Sequence, residues 1–88
     1  MKFKLTIEFD NNEYEVDVIR TSTGVHPNSY FATIVQESDV SNRFPRVEYK
    51  AYDNTLLYVD SLSKSLPGFA EKQKEEIIKY LSENNIPI

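Results

Sequence analysis

The sequence predicts an α+β fold: a four-stranded, mainly antiparallel sheet covered on one face by two C-terminal helices. Three observations predict it. Residues 2–20 hold two strictly alternating segments hinged on a polar turn. Two further strand-like runs follow, at residues 30–36 and 46–52. From residue 53 the apolar spacing lengthens from two to about 3.6. The 88 residues read as one domain, 1–88, whose thin core buries about 60–65% of the unfolded surface, too little to house a large cofactor pocket.

In the first segment Phe3, Leu5, Ile7 and Phe9 share one face, and in the second Tyr14, Val16 and Val18 do. Asn11-Asn12 as a two-residue loop would set Phe9 opposite Tyr14, Ile7 opposite Val16 and Leu5 opposite Val18. The other face would then pair Glu8 with Glu15, Thr6 with Asp17 and Lys4 with Ile19, a wet surface or one that meets a basic partner. Acid (Glu8, Glu13, Glu15, Asp17) gathers toward the turn and mid-hairpin, while Lys2, Lys4 and Arg20 lie at the open end. That asymmetry would steer a basic partner to the turn end, and makes Glu15 and Asp17 candidate contact residues.

Residues 21–29 and 37–45 read as long polar loops, punctuated by Gly24, Pro27 and Asn28 in the first and carrying Phe44 in the second. The run 30–36 is apolar apart from Thr33 and polar Gln36, as expected of a central strand. In the fourth strand Val47, Tyr49 and Ala51 alternate with Arg46, Glu48 and Lys50, and Pro45 at its start favours an edge position. Strand order is expected to be that of a meander.

Asp53 or Asn54 reads as an N-cap, with Leu56, Val59, Leu62 and Leu66 forming one stripe of a helix over 53–66. Pro67-Gly68 ends it and starts a second helix over about 69–84, closed by a left-handed cap at Asn84-Asn85. Ile77, Ile78, Tyr80 and Leu81 crowd the C-terminal half of that helix, and residues 71–76 are polar throughout, so only the second half is expected to pack deeply. Glu75 and Lys79 are spaced as an i, i+4 ion pair. The tail Ile86-Pro87-Ile88 is apolar enough to dock on the body. The pattern Asp53-Asn54, Val59, Leu62, Leu66-Pro67, Ile77, Tyr80-Leu81, Asn84 resembles the C-terminal part of ubiquitin-binding PFU domains, with a longer interval between Leu66-Pro67 and Ile77, and no function is carried over from it.

Composition narrows function mainly by exclusion. No cysteine is present, which removes disulfides and thiolate zinc sites and suits a reducing cytosol. No apolar run reaches the roughly 18 residues of a membrane span, and the alternating start at Met1 is unlike a signal peptide, so the reading is a complete cytoplasmic protein with no membrane partner. A net charge of −4 disfavours a phosphate-backbone binder. The two glycines, Gly24 and Gly68, cannot write a P-loop or dinucleotide fingerprint. His26, the single histidine, could serve a triad with Ser22 or Ser29, yet His-Pro in such a loop reads as solvated turn. Asp10-Asn11-Asn12-Glu13 carries oxygens but lacks calcium-loop spacing, and its residues are those a tight turn needs. No catalytic residue, metal or cofactor is therefore expected.

What remains is binding. Six Tyr and five Phe suit a small domain that keeps some rings for a partner. Phe44 with Arg43 and Arg46 would make an anchor cluster, with Glu15, Asp17 and Tyr30 as further contact residues. The leading expectation is a non-enzymatic protein-binding module, an inhibitor or adaptor acting on a larger protein. The bulge-free first strand also allows a homodimer through a sheet edge. The alternative is a single-stranded nucleic-acid binder using Arg43, Phe44, Arg46 and Lys50.

Overall fold

The N-terminal hairpin pairs β1 (Lys2–Phe9) with β2 (Asn12–Thr21) around a turn at Asp10 and Asn11. The computed structural model describes residues 1–22, 28–35, 46–59 and 67–88. Both turn residues have positive φ, 53° and 63°, the type I′ geometry that matches the twist of the strands it joins and that short Asp and Asn side chains tolerate. The turn is one residue earlier than the Asn11-Asn12 loop expected from sequence, so the register differs by two. Phe3 faces Val18, Leu5 faces Val16 and Ile7 faces Tyr14. A shift of two keeps every side chain on its face, but it brings Phe3 into the paired core and replaces the unproductive Lys4–Ile19 pairing with Lys4 opposite Asp17, Nζ to Oδ1 3.8 Å.

β3 (Ser29–Ile34), β4 (Val47–Tyr52) and β5 (Thr55–Tyr58) complete a five-stranded antiparallel sheet in the order β1-β2-β3-β4-β5. The meander and the central place of β3 agree with the sequence. The strand count does not, because Asp53-Asn54 is a second positive-φ turn, 51° and 64°, instead of a helix cap. Residues 55–58 consequently return antiparallel along β4, and β4 is an interior strand, not the edge that Pro45 suggested. Pro45 itself, and Leu62 and Leu66 of the expected helix, lie outside the described residues.

Among the described residues one helix, α1 (Pro67–Glu83, 17 residues), covers the inner face, where two were expected. It begins on a proline, whose missing N–H is harmless in a first turn. It ends in a Schellman motif: Asn85 is left-handed (φ 56°), Ile86 N–H reaches Leu81 O at 2.8 Å and Asn85 N–H reaches Ser82 O at 3.2 Å. Phe69 lies edge-on to Phe9 and Tyr14, while Tyr80 stacks on Phe3 at 4.1 Å. The helix therefore runs antiparallel to β1, its start over the hairpin turn and its end over the open end. It meets both edge strands, β1 and β5, so the sheet curls around it.

The core comprises Phe3, Ile7, Tyr14, Val16, Val18, Tyr30, Ala32, Ile34, Val47, Tyr49 and Leu56 from the sheet and Phe69, Ala70, Ile77 and Leu81 from the helix. The first half of α1 is thus as deeply buried as the second, contrary to expectation, because Phe69, Ala70 and Gln73 face inward together. Among the described residues the helix ion pairs are Lys72–Glu76 and Lys74–Glu71, not Glu75–Lys79. Ile86 and Ile88 pack against the core, and the Arg20 guanidinium donates to Pro87 O at 3.2 Å, which ties the tail to β2.

Candidate docking surface

The inner face closes around a polar contact. Tyr49, completely buried on β4, donates its hydroxyl to Gln73 Oε1 at 2.6 Å, with Ala70 O at 3.2 Å. Burial, with Glu71 and Tyr58 adding negative charge nearby, pushes the Tyr49 phenol well above its ordinary value of 10.0. The group is a neutral donor that satisfies the one buried polar side chain of the helix. Beside it in the same cross-strand row, Tyr30 is also completely buried, and its hydroxyl has no hydrogen-bond partner among the described residues. Tyr30 was expected at a partner-binding surface; its alternation with Phe31 turns it inward, which removes it from contact.

The outer face is different in kind. Register places Lys2, Ile19, Phe31 and Glu48 in one row across β1 to β4, and Val59, the residue after β5, extends it through its bond to Glu48. Leu57 and Tyr52 lie on the same face of β5 and β4, and Val35 follows β3. Ile19, Val35, Tyr52, Leu57 and Val59 are exposed, from 40% at Ile19 to 65% at Tyr52. Arg46 lies 4.4 Å from the centre of the half-buried Phe31 ring, a cation–π contact. Two open depressions mark this face. One, about 280 Å³, is lined by Phe31, Arg46, Glu48 and Val59. The other, about 320 Å³, is lined by Lys2, Phe3, Lys4, Asp17, Val18 and Ile19. Ile19 of one and Phe31 of the other stand directly opposite each other in the ladder.

Of the contact residues expected from sequence, Arg46, Glu15 and Asp17 lie on or beside this face. Asp17 Oδ1 is screened from solvent with Lys4 as its ion-pair partner. Arg43, Phe44 and His26 lie outside the described residues. Sequence reasoning missed Ile19, Leu57 and Val59. A signal existed for Ile19, the one apolar residue on an otherwise polar outer row of β2. For the other two the misread helix at 53–66 hid the alternation.

Among the described residues, no group of three or more His, Cys, Asp or Glu side chains could hold a metal ion, and no helix is long and apolar enough to cross a membrane. No family model, curated protein or solved structure matches the chain.

Proposed function

We propose that the protein is a non-enzymatic binding module, an inhibitor or adaptor of a larger protein, that docks through the outer face of its sheet. The observation that carries this reading is the set of five exposed apolar side chains on or bordering one face, Ile19, Val35, Tyr52, Leu57 and Val59. Apolar clusters rimmed by charge mark interaction sites on small proteins. The partner this face fits is a protein surface with apolar anchors, basic toward Glu15 and Asp17 and acidic toward Arg46 and Lys50. A cytoplasmic location suits the cysteine-free composition.

The single-stranded nucleic-acid alternative draws support from Arg46, Lys50 and the exposed Tyr52. Against it, Arg46 already covers a face of Phe31 that a base would stack on, and Glu48 lines the same depression. The test is purification from the native cell with unaltered protein and with Leu57→Asp plus Val59→Asp, both checked for folding by circular dichroism. Loss of the co-purifying protein in the variant supports the reading. An unchanged partner set rejects the face, and recovery of RNA or DNA in place of protein rejects the class.

A further inference from the structure

β1 lies at the edge of the sheet, and the hydrogen-bond phase of the hairpin determines what that edge offers. Arg20 N–H donates to Met1 O at 2.8 Å, and the Met1 ammonium to Arg20 O at 3.3 Å. Met1 and Arg20 are therefore a hydrogen-bonded pair. Strict alternation along the ladder then directs the N–H and C=O groups of Phe3, Leu5, Ile7 and Phe9 to β2, and those of Lys2, Lys4, Thr6 and Glu8 outward. Neither a proline nor a bulge interrupts this row. At the opposite edge, Val59 N–H on Glu48 O (2.9 Å) sets the phase of β5, which turns only Leu56 and Tyr58 outward. The long, regular edge is β1.

Its side chains are self-complementary. Read from its start, the outer row of β1 runs Lys2, Lys4, Thr6, Glu8, basic at one end and acidic at the other. We propose that β1 pairs antiparallel with β1 of a second copy of this chain across a two-fold axis at Leu5. Lys2 then stands opposite the partner's Glu8, Lys4 opposite the partner's Thr6, and Phe3 opposite the partner's Ile7. Leu5 meets the partner's Leu5, and all four outward residues of each strand form hydrogen-bonded pairs.

The phase of the ladder and the charges select this register. An axis at Lys4 would place Lys4 on its own copy, and an axis at Thr6 would leave Lys2 without an opposite strand. A parallel arrangement would set lysine against lysine and glutamate against glutamate. Within the hairpin Glu8 already stands opposite Glu13, and a lysine on its other flank offsets that repulsion. The contact is isologous and closes on itself as a two-fold dimer with one ten-stranded sheet.

The inference does not rest on the outer-face reading, and the two fail separately. Sedimentation across a concentration series measures it directly. Unaltered protein should show a concentration-dependent dimer, and Leu57→Asp plus Val59→Asp should leave that dimer intact. Thr6→Pro removes one outward N–H while sparing every bond to β2, and should abolish the dimer with the monomer spectrum retained. Glu8→Lys and Lys2→Glu should each weaken it on the order of ten-fold, since each substitution acts twice across the axis, and the two together should restore it. A monomer at every concentration overturns the proposal. So does a dimer indifferent to Thr6→Pro, and a double charge exchange that fails to restore association overturns the register.

Discussion

The two hairpins of this molecule are closed by the same local chemistry and put it to opposite uses. Phe9-Asp10-Asn11-Asn12 and Tyr52-Asp53-Asn54-Thr55 both place an aromatic residue before an Asp-Asn pair whose φ angles agree to within a few degrees. In the first hairpin the aromatic falls on the inner face, where Phe9 lies edge-on to Phe69. In the second it falls on the outer face, and Tyr52 is exposed. The turn is thus written locally, whereas the parity of the strand before it decides whether the ring becomes core or surface. The attachments to the helix differ too: the first hairpin is held by rings, the second by the apolar Leu56 and by the Tyr49 hydroxyl on Gln73.

That contrast can be broken at its strongest point by Phe69→Ala, which strips the ring from between Phe9 and Tyr14. The expected loss is about 3–5 kcal/mol, read as a fall in the urea midpoint. Tyr49→Phe comes next. It leaves Gln73 Oε1 and Ala70 O without their donor, for a loss of about 1–3 kcal/mol. Tyr30→Phe, which removes a hydroxyl with no acceptor among the described residues, should stay within about 0.5 kcal/mol of the parent.

The same tyrosine gives a pH signature. Its folded-state value lies above the ordinary 10.0, so its contribution is fully present below about pH 10. Above that the unfolded chain loses the proton first, and stability falls by about 1.4 kcal/mol per pH unit until the folded-state value is reached. Denaturation of Tyr49→Phe between pH 9 and 11 should lack this component of the slope. An identical slope in both proteins would place the phenol in solvent.

Asn11→Ala and Asn54→Ala probe the shared turn, and each should cost about 1–2 kcal/mol, since alanine is disfavoured at positive φ. Unequal losses in thermal unfolding would show that one turn is held by its surroundings and not by its residues. Tyr52→Ser sits at the small end. With its ring in solvent, the expected change is under about 0.5 kcal/mol, and a larger one would mean that the second hairpin also uses its aromatic for packing.

What could be read from the sequence follows this division between local and parity-dependent information. Alternation placed Phe3, Leu5, Ile7, Val16 and Val18 on one face correctly, because period two survives any even shift of register. For the same reason it could not separate a turn at Asn11-Asn12 from one at Asp10-Asn11. Residues 53–59 were misread because Asp-Asn is both a helix cap and a type I′ turn, and the i, i+3 spacing of Leu56 and Val59 fits one helical stripe, whereas the strand puts them on opposite faces. Gln73 was taken for surface since nothing in a polar run announces that a tyrosine from a distant strand will bond it. The docking face was hidden with β5, since Leu57 on it and Val59 just after it gain meaning only beside Ile19 and Phe31.

The most direct measurement is a proton NMR map of Hα–Hα contacts, which are strong only between non-hydrogen-bonded opposing residues whose Cα atoms lie about 4.5 Å apart. Such contacts are predicted between Thr6 and Glu15 in the first hairpin and between Tyr49 and Tyr58 in the second. An Ile7–Val16 contact in their place, the non-hydrogen-bonded pair of a hairpin closed at Asn11-Asn12, or sequential amide contacts running through residues 55–58, would contradict the shared turn and the outer face built on it.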